Sequence, residues 1–393
     1  VEDCFKIISE YLVTGLRRLH IVNIHDVGPL ESWKIKCLLS HCASTLEDLF
    51  IRYQIAYNEE LDELHHVLQQ PESMPLLKCL ALSQLGKLPG SEGFLSWLWE
   101  RCSQVERLEL SELNDLQSLV DSLPIHMPNL NSIRLTQLGL SDENIAVLLS
   151  KSHKGWKEVC KEHLKGLWQS TQRILMEHCL TLERLEIHGC KGFTSIWKAQ
   201  ILAASPNLHT FSTLDGGWFE GTSFFHAHSF INQDPHTGEL KTWACESSLK
   251  TLKVCITGVP MPGFHGVSEW GAVQETNPGQ AREIQGHLYD RLARLTHLET
   301  LWLAQENRVM DKPDCLEMSL ESGLHKLAGL KELKELSIEH LKTRIGVQEV
   351  QWMVDQWPKL RTILGLGSQR SEEAKEAMEW LRKYHPEICL SQW

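Results

Sequence analysis

The sequence lacks the short motifs that mark common enzymes. It has no Gly-x-x-x-x-Gly-Lys phosphate loop, no His-Glu-x-x-His zinc helix and no Gly-x-Ser-x-Gly nucleophile elbow. Those nucleotide, metalloprotease and hydrolase chemistries therefore have no motif to carry them. No run approaches the roughly 18 apolar residues of a membrane span. The first residues, Val1-Glu2-Asp3-Cys4-Phe5-Lys6, lack the basic start and apolar core of a signal peptide. Because Val1 is not Met, the chain is expected to be a fragment or a processed product. Neither an Asn-x-Ser/Thr sequon nor a Cys-x-x-Cys pair occurs, and the 12 cysteines among 393 residues fall far below a disulfide scaffold. Most sit among apolar neighbours, which points to reduced, buried thiols and an intracellular protein, cytoplasmic or nuclear. Basic residues are scarce as well, 39 against 51 acidic, for a formal net charge of −12. That balance argues against a dedicated nucleic-acid or anionic-membrane binder, because both need a basic footprint, though it leaves room for a local basic patch. With 42% apolar and 23% charged residues, the chain otherwise reads as globular.

What is abundant is leucine in a pattern. The stretch from His178 to Thr194 holds Leu182-x-x-Leu185-x-Ile187-x-x-Cys190, which fits the core of a leucine-rich repeat. Within it, apolar and polar residues alternate, as in a short strand with one buried face. Leading apolar residues of such matches fall at Leu16, Leu46, Leu77, Val105, Leu130, Trp156, Leu182, Leu208, Leu249, Leu298, Leu333 and Leu360. From Val105 to Leu208 the spacing is 25 or 26 residues at every step. Some units are degenerate: Lys161, Thr213 and Gly365 stand where the third apolar residue belongs.

Helix-like stretches lie between the strands. After Leu140, Ser141 is a suitable N-cap, Asp142 and Glu143 fill the first turn, and Ile145, Leu148 and Leu149 share a face. Ser170 to Met176 repeats the design. The return to strand comes in two styles. Cys42, Cys102 and Cys179 precede the next leading apolar residue by three or four positions, while Pro75, Pro128, Pro206 and Pro358 precede it by two. Proline stops the helix and biases its predecessor to extended geometry; a small buried thiol fills the bend in the other style. Residues 4–13 read as a helix of an earlier unit. After Leu208 the regularity breaks into an aromatic insert (Trp218, Phe219, Phe224, Phe225, Phe230) and a Gly/Pro-rich insert containing Gly258-Val-Pro-Met-Pro-Gly263.

The expected fold is therefore α/β: a leucine-rich-repeat solenoid, or horseshoe, with parallel strands on the concave face and helices on the convex face. Residues 1–370 form about twelve units with insertions at 213–248 and 256–286, and residues 371–393 form a C-terminal capping helix and tail.

The cysteine-ended helices before Leu-x-x-Leu-x-Leu, with Leu140-Ser141-Asp142 opening a helix, resemble the cysteine-containing, ribonuclease-inhibitor-like class typical of F-box/leucine-rich-repeat proteins. The segments Cys315–Leu324, Arg344–Met353 and Gln356–Leu360 look like the carboxy-terminal repeats of fungal F-box-like proteins. That resemblance covers nearly the whole chain. It implies a substrate-holding repeat array and an F-box that recruits the adaptor of a Skp–cullin–F-box ubiquitin ligase. No F-box-like Leu-Pro-x-Glu-Ile/Leu helix start precedes Leu16, so the adaptor is an expected partner only if an F-box lies upstream.

On this reading the candidate binding residues are those between the leucines, facing away from the core. They are Asp48, Phe50 and Arg52; Arg107 and Glu109; Arg134; Arg184, Glu186 and His188; Lys253; Trp302; Glu335 and Ser337. Their mixed charges suit a protein partner more than a polyanion. For any one of them, a merely solvated polar face is the plainer reading. Trp302 stands out as a binding anchor, whereas most of the 14 tryptophans are expected in the core or at helix ends. His226-x-His228, with His236 and Cys245 nearby, has metal-ligand residue types without a tight zinc spacing; loop packing is expected and metal binding is the minor alternative. The recurring cysteines are read as packing rather than reactive groups. No catalytic residue, metal or cofactor is expected.

The leading expectation is a protein-recognition module, the substrate-receptor part of a ubiquitin ligase. The alternative is a scaffold or inhibitor that binds a protein without recruiting a ligase. A third reading, an enzyme with its site in the 213–297 inserts, rests only on clustered histidines and aromatics.

Overall fold

The computed structural model describes residues 15–22, 30–52, 55–56, 73–84, 91–113, 117–152, 154–162, 169–190, 192–214, 224–259, 265–267, 273–275, 278–304, 316–338, 341, 345–368 and 371–390. The expected helix over 4–13, Trp218, Phe219 and most of the Gly/Pro-rich insert lie outside them. The chain divides into two compact units, Val1–His178 and Cys179–Trp393.

Among the described residues, the main ladder of the first unit has six parallel strands: β1 (Arg18–Val22), β2 (Asp48–Arg52), β3 (Cys79–Ser83), β4 (Arg107–Ser111), β5 (Ser132–Thr136) and β6 (Glu158–Glu162). Each pairs in register with the next, so that Leu49, Leu80, Leu108, Ile133 and Val159 form one row. The connecting helices are α1 (Ser32–Cys42), α2 (Ser91–Trp99), α3 (Gln117–His126), α4 (Asp142–Ser150) and α5 (Gln169–Glu177). Strand leucines and the helix residues Leu39, Phe94, Leu98, Leu119, Ile145, Leu148 and Leu175 make the core. Ser141 caps α4 by accepting from the Asn144 amide at 3.2 Å, as the sequence suggests. The start of α5 is capped from outside. Asp142 accepts from the amides of Ser170 and Thr171 at 2.8 and 3.1 Å, satisfying two of the four N–H groups left open at a helix start. One helix thus fixes the position of the next.

In the second unit the parallel strands are β7 (Arg184–His188), β8 (Thr210–Ser212), β9 (Phe225–His226), β10 (Thr251–Thr257), β11 (Thr300–Ala304), β12 (Glu335–Ser337) and β13 (Thr362–Leu364). The main ladder omits β9, which pairs beside the far end of β10 through Phe225–Ile256 and His226–Thr257. Helices α6 (Ser195–Ala204), α7 (Ala227–Ile231), α8 (Pro278–Ala293), α9 (Val347–Gln356) and α10 (Glu372–Tyr384) complete it. The terminal helix α10 opens on Ser371, whose hydroxyl accepts from the Ala374 amide. Beyond it, the Cys389 amide donates to the Arg361 carbonyl at 2.8 Å, adding one more rung beside β13.

One backbone arrangement recurs throughout. Two consecutive amides entering a strand share one carbonyl of the preceding repeat: Glu47 and Asp48 on Arg17, Glu106 and Arg107 on Lys78, His209 and Thr210 on Glu183, Lys334 and Glu335 on Glu299. The residue that closes each turn is buried whatever its type. Cys102, Met127, Ser205, Leu330 and Trp357 each accept at their carbonyl from the amide of the leading apolar residue three positions on. The Cys102 turn and the proline turns thus share one geometry: in the proline style, a buried residue precedes Pro and takes the place of the thiol. The degenerate positions hold too, since Lys161 and Thr213 are both fully buried.

The architecture is the leucine-rich-repeat solenoid, one strand and one return segment per unit. Leu185 lies in its middle, fully buried and paired in register with Phe211. Replacing it with Asp removes a side chain worth about 2 kcal/mol of burial and leaves an uncompensated charge in the core. A loss of roughly 3–5 kcal/mol is expected, read as a fall in the thermal midpoint; an unchanged melt would refute the repeat assignment.

Candidate functional site

Register places the candidate residues in rows on the face opposite the buried leucines. In the first unit, one row runs Arg18–Asp48–Cys79–Arg107–Ser132–Glu158 across β1 to β6, and the next runs His20–Phe50–Ala81–Glu109–Arg134–Cys160. Neighbouring strands lie about 4.8 Å apart, so side chains one or two strands across can meet. Arg18 pairs with Asp48 at 3.0 Å and Arg107 with Glu158 at 3.6 Å. Arg134 donates to Glu162 at 2.9 Å, whose second oxygen accepts from Thr136. His20 meets the Phe50 ring edge-on at 5.5 Å. Arg52, at the end of β2, is exposed. These half-exposed pairs are worth at most about 1 kcal/mol each, so this face is self-paired and polar.

The second unit brings the other candidates together. One row runs Arg184–Thr210–Thr251–Thr300–Glu335–Thr362, and beside it runs Glu186–Ser212–Lys253–Trp302–Ser337–Leu364. Arg184 grips Glu186 through two nitrogens, at 3.0 and 2.6 Å. The His188 ring contacts the Ser212 hydroxyl at 2.9 Å. Trp302 is held on three sides. Its indole N–H donates to Glu335 Oε1 at 2.6 Å, the Lys253 ammonium sits 3.5 Å from its ring centroid, and its edge packs against the buried pair Leu214 and Cys255. Burial pulls the Lys253 pKa below the ordinary lysine value, against the attraction of Glu335 and Glu186. Ser337, at the end of its strand, is buried. Leu214 and Cys255, two residues beyond Ser212 and Lys253 as His188 is beyond Glu186, lie on the same outward alternation, but as buried apolar residues they carry no surface signal in the sequence.

The insert after β8 is organised by two buried cations. Arg291 on α8 is fully buried. It donates to the carbonyls of Ile231 and Lys241 at 2.7 and 2.6 Å, pairs with Glu246 at 2.8 Å and lies over the Trp243 ring. This fixes segment 227–246 on the helix. Lys198 on α6 donates to the Phe224 carbonyl and is fully buried. Burial lowers its pKa to about 7. Neither residue carries a sequence signal, because an Arg or Lys on a helix face reads as solvated until its neighbours are known.

The His/Cys group lies in two different settings. His226 and His228 stack on each other at 5.4 Å. Cys245 is buried in the turn before Leu249 and accepts at its carbonyl from the Ser248 and Leu249 amides, as Cys42 does before Leu46. It is a further member of the turn cysteines that the sequence reading grouped with histidines instead. Among the described residues no three potential ligands cluster.

Two predictions follow from these burials. The Lys198 pKa is lower in the folded than in the unfolded chain. Stability therefore rises as pH climbs from about 7 towards the ordinary lysine range, by up to about 1.4 kcal/mol per pH unit. Against Lys198→Met, wild type should gain stability between pH 7 and 9 in denaturant melts; parallel profiles would contradict the assignment. Burial likewise raises the thiols, Cys42 to about 11 and Cys245 to about 12, with Cys102 higher still, while Cys389 is exposed. Iodoacetamide at pH 8 should alkylate Cys389 in the native chain and leave the other three intact until unfolding, as read by peptide mass spectrometry.

No family model matches the chain, and no curated protein does. Among solved structures, it aligns with a chain of the yeast Rad7–Elc1 complex over 98% of its own length and 83% of that chain, at 14% identity and a TM-score of 0.48. An internalin from Listeria monocytogenes aligns over 88% and 77%, at 14% identity and a TM-score of 0.41. A chain of the octameric complex of latrophilin 3, Unc5D and FLRT2 aligns over 89% and 84%, at 14% identity and a TM-score of 0.38.

Proposed function

We propose that this chain is a protein-recognition module, the substrate-receptor part of a Skp–cullin–F-box-type ubiquitin ligase. The observation that carries recognition is Trp302, half-exposed on an ordered strand and fixed by Glu335, Lys253 and the Leu214–Cys255 floor. An anchor already held in place loses little side-chain freedom on binding, and tryptophan is enriched at binding hot spots. The ligase reading rests on the sequence resemblance: cysteine-ended turns before Leu-x-x-Leu-x-Leu and the carboxy-terminal repeat segments. The chain's part is positioning, with no covalent step of its own. The ten described cysteines are all free thiols, which supports action in a reducing compartment, cytoplasm or nucleus. No helix among the described residues is long and apolar enough to cross a membrane.

The test is co-purification of the full-length protein from its own cells, with mass spectrometry of what is retained. The expected outcome is recovery of the cullin adaptor together with a substrate protein. Retention of a partner without the adaptor, from a full-length protein lacking an F-box, would replace this reading with the scaffold or inhibitor one.

A further inference from the structure

The outer rows of the second unit contain one cation unlike the others. Arg184 is neutralised by Glu186 at 2.6 Å. Lys253, by contrast, is half-buried, and among the described residues none accepts a hydrogen bond from its ammonium. Its one close contact is the Trp302 face at 3.5 Å. Glu335, in the adjoining row, accepts from the indole N–H. An ammonium has three donors, and a cation–π contact engages its charge without accepting a hydrogen bond, so the half-exposed Lys253 can still donate to a partner.

We propose that Lys253 and Trp302 form a docking point for an acidic, extended segment of a partner protein: a single Asp or Glu carboxylate bound by Lys253, with an adjacent apolar side chain against Trp302. This rests on the protein-recognition reading and names its substrate chemistry. The partner's carboxylate supplies the acceptor that the site lacks, in a charge-assisted hydrogen bond. Charge also sets the limit. Glu186 and Glu335 both act on Lys253, so a monoanion is accommodated while a phosphate dianion meets more repulsion. The half-exposed hydroxyls of Thr251 and Thr300, in the adjoining row, are placed to hydrogen-bond the segment's backbone.

The experiment uses the full chain and three sets of synthetic decapeptides, Ala/Ser-based, with a central Glu-Leu, Gln-Leu or phosphoserine-Leu pair. Equilibrium binding to each set is measured. Glu-Leu peptides should bind about tenfold tighter than Gln-Leu ones, an increment typical of one charge-assisted bond, and tighter than the phosphoserine set. Lys253→Gln should abolish the Glu preference, and Lys253→Arg should retain it. Equal binding of Glu and Gln peptides, no binding, a phosphoserine preference, or an unchanged preference in Lys253→Gln would each overturn the proposal. Should Lys253→Gln fail to fold, the wild-type ranking of the three sets still decides. Adaptor recovery without a Glu preference would overturn this inference and leave the ligase reading standing; a Glu preference without adaptor recovery would do the reverse.

Discussion

The structure depends on a shared carbonyl. At strand after strand, two successive amides converge on one oxygen of the preceding repeat, as the Thr251 and Lys250 amides do on His209. This contact sets register before any side chain is considered. Because side chains alternate strictly along a strand, a slip of one residue would exchange the leucine row with the polar row. With register fixed, Leu185, Phe211, Leu252, Leu301, Leu336 and Ile363 stack as one buried column. The polar residues then have no freedom in whom they meet. Backbone pairing brings Arg107 within reach of Glu158, two strands across, and Arg134 within reach of Glu162 on the next strand; the rotamers then complete the ion pairs.

That ordering explains why the two runs of outer residues differ. In the first unit charges of both signs lie within reach of one another, and Arg18, Arg107 and Arg134 each find a carboxylate on another strand. In the second, threonines occupy much of one row, and the charged members are few. Glu335 is drawn to the Trp302 indole and Glu186 to Arg184, which leaves Lys253 on an aromatic surface. A face whose charges are mutually satisfied gains little from a partner, since each new contact replaces an existing one. A half-buried cation lacking an acceptor gains more.

The repeat frame was legible because its cause is periodic. Leu182, Leu185 and Ile187 carry their own spacing, and Ser141 and Ser371 cap helices through chemistry local to four residues. The outer positions were also legible, since they follow from the same alternation. Their partners were not. That Arg184 turns to Glu186 on its own strand while Arg107 reaches two strands across to Glu158 depends on rotamers that sequence does not fix. Cys245 shows a different failure. Histidines nearby in sequence suggested a chemical grouping, while the signal that mattered was its distance from Leu249, four residues, the same as from Cys42 to Leu46. The buried cations were hidden most thoroughly. Lys198 and Arg291 each answer a need, carbonyls left open by an irregular insert, that exists only once the insert has folded back.

Such inserts interrupt the repeat without weakening it. Segment 227–246 departs from repeat geometry, and buried carbonyls without donors are costly. Arg291 supplies donors to two of its carbonyls at once, with Glu246 balancing its charge and Trp243 packed on its guanidinium. Arginine suits this role because its planar fork serves several acceptors without losing much freedom per bond. Anchored in this way on α8, the insert continues through the turn at Cys245 into β10. The strand bearing Lys253 thus begins from a fixed point, and the alignment of Lys253 with Trp302 is inherited from the frame on both sides.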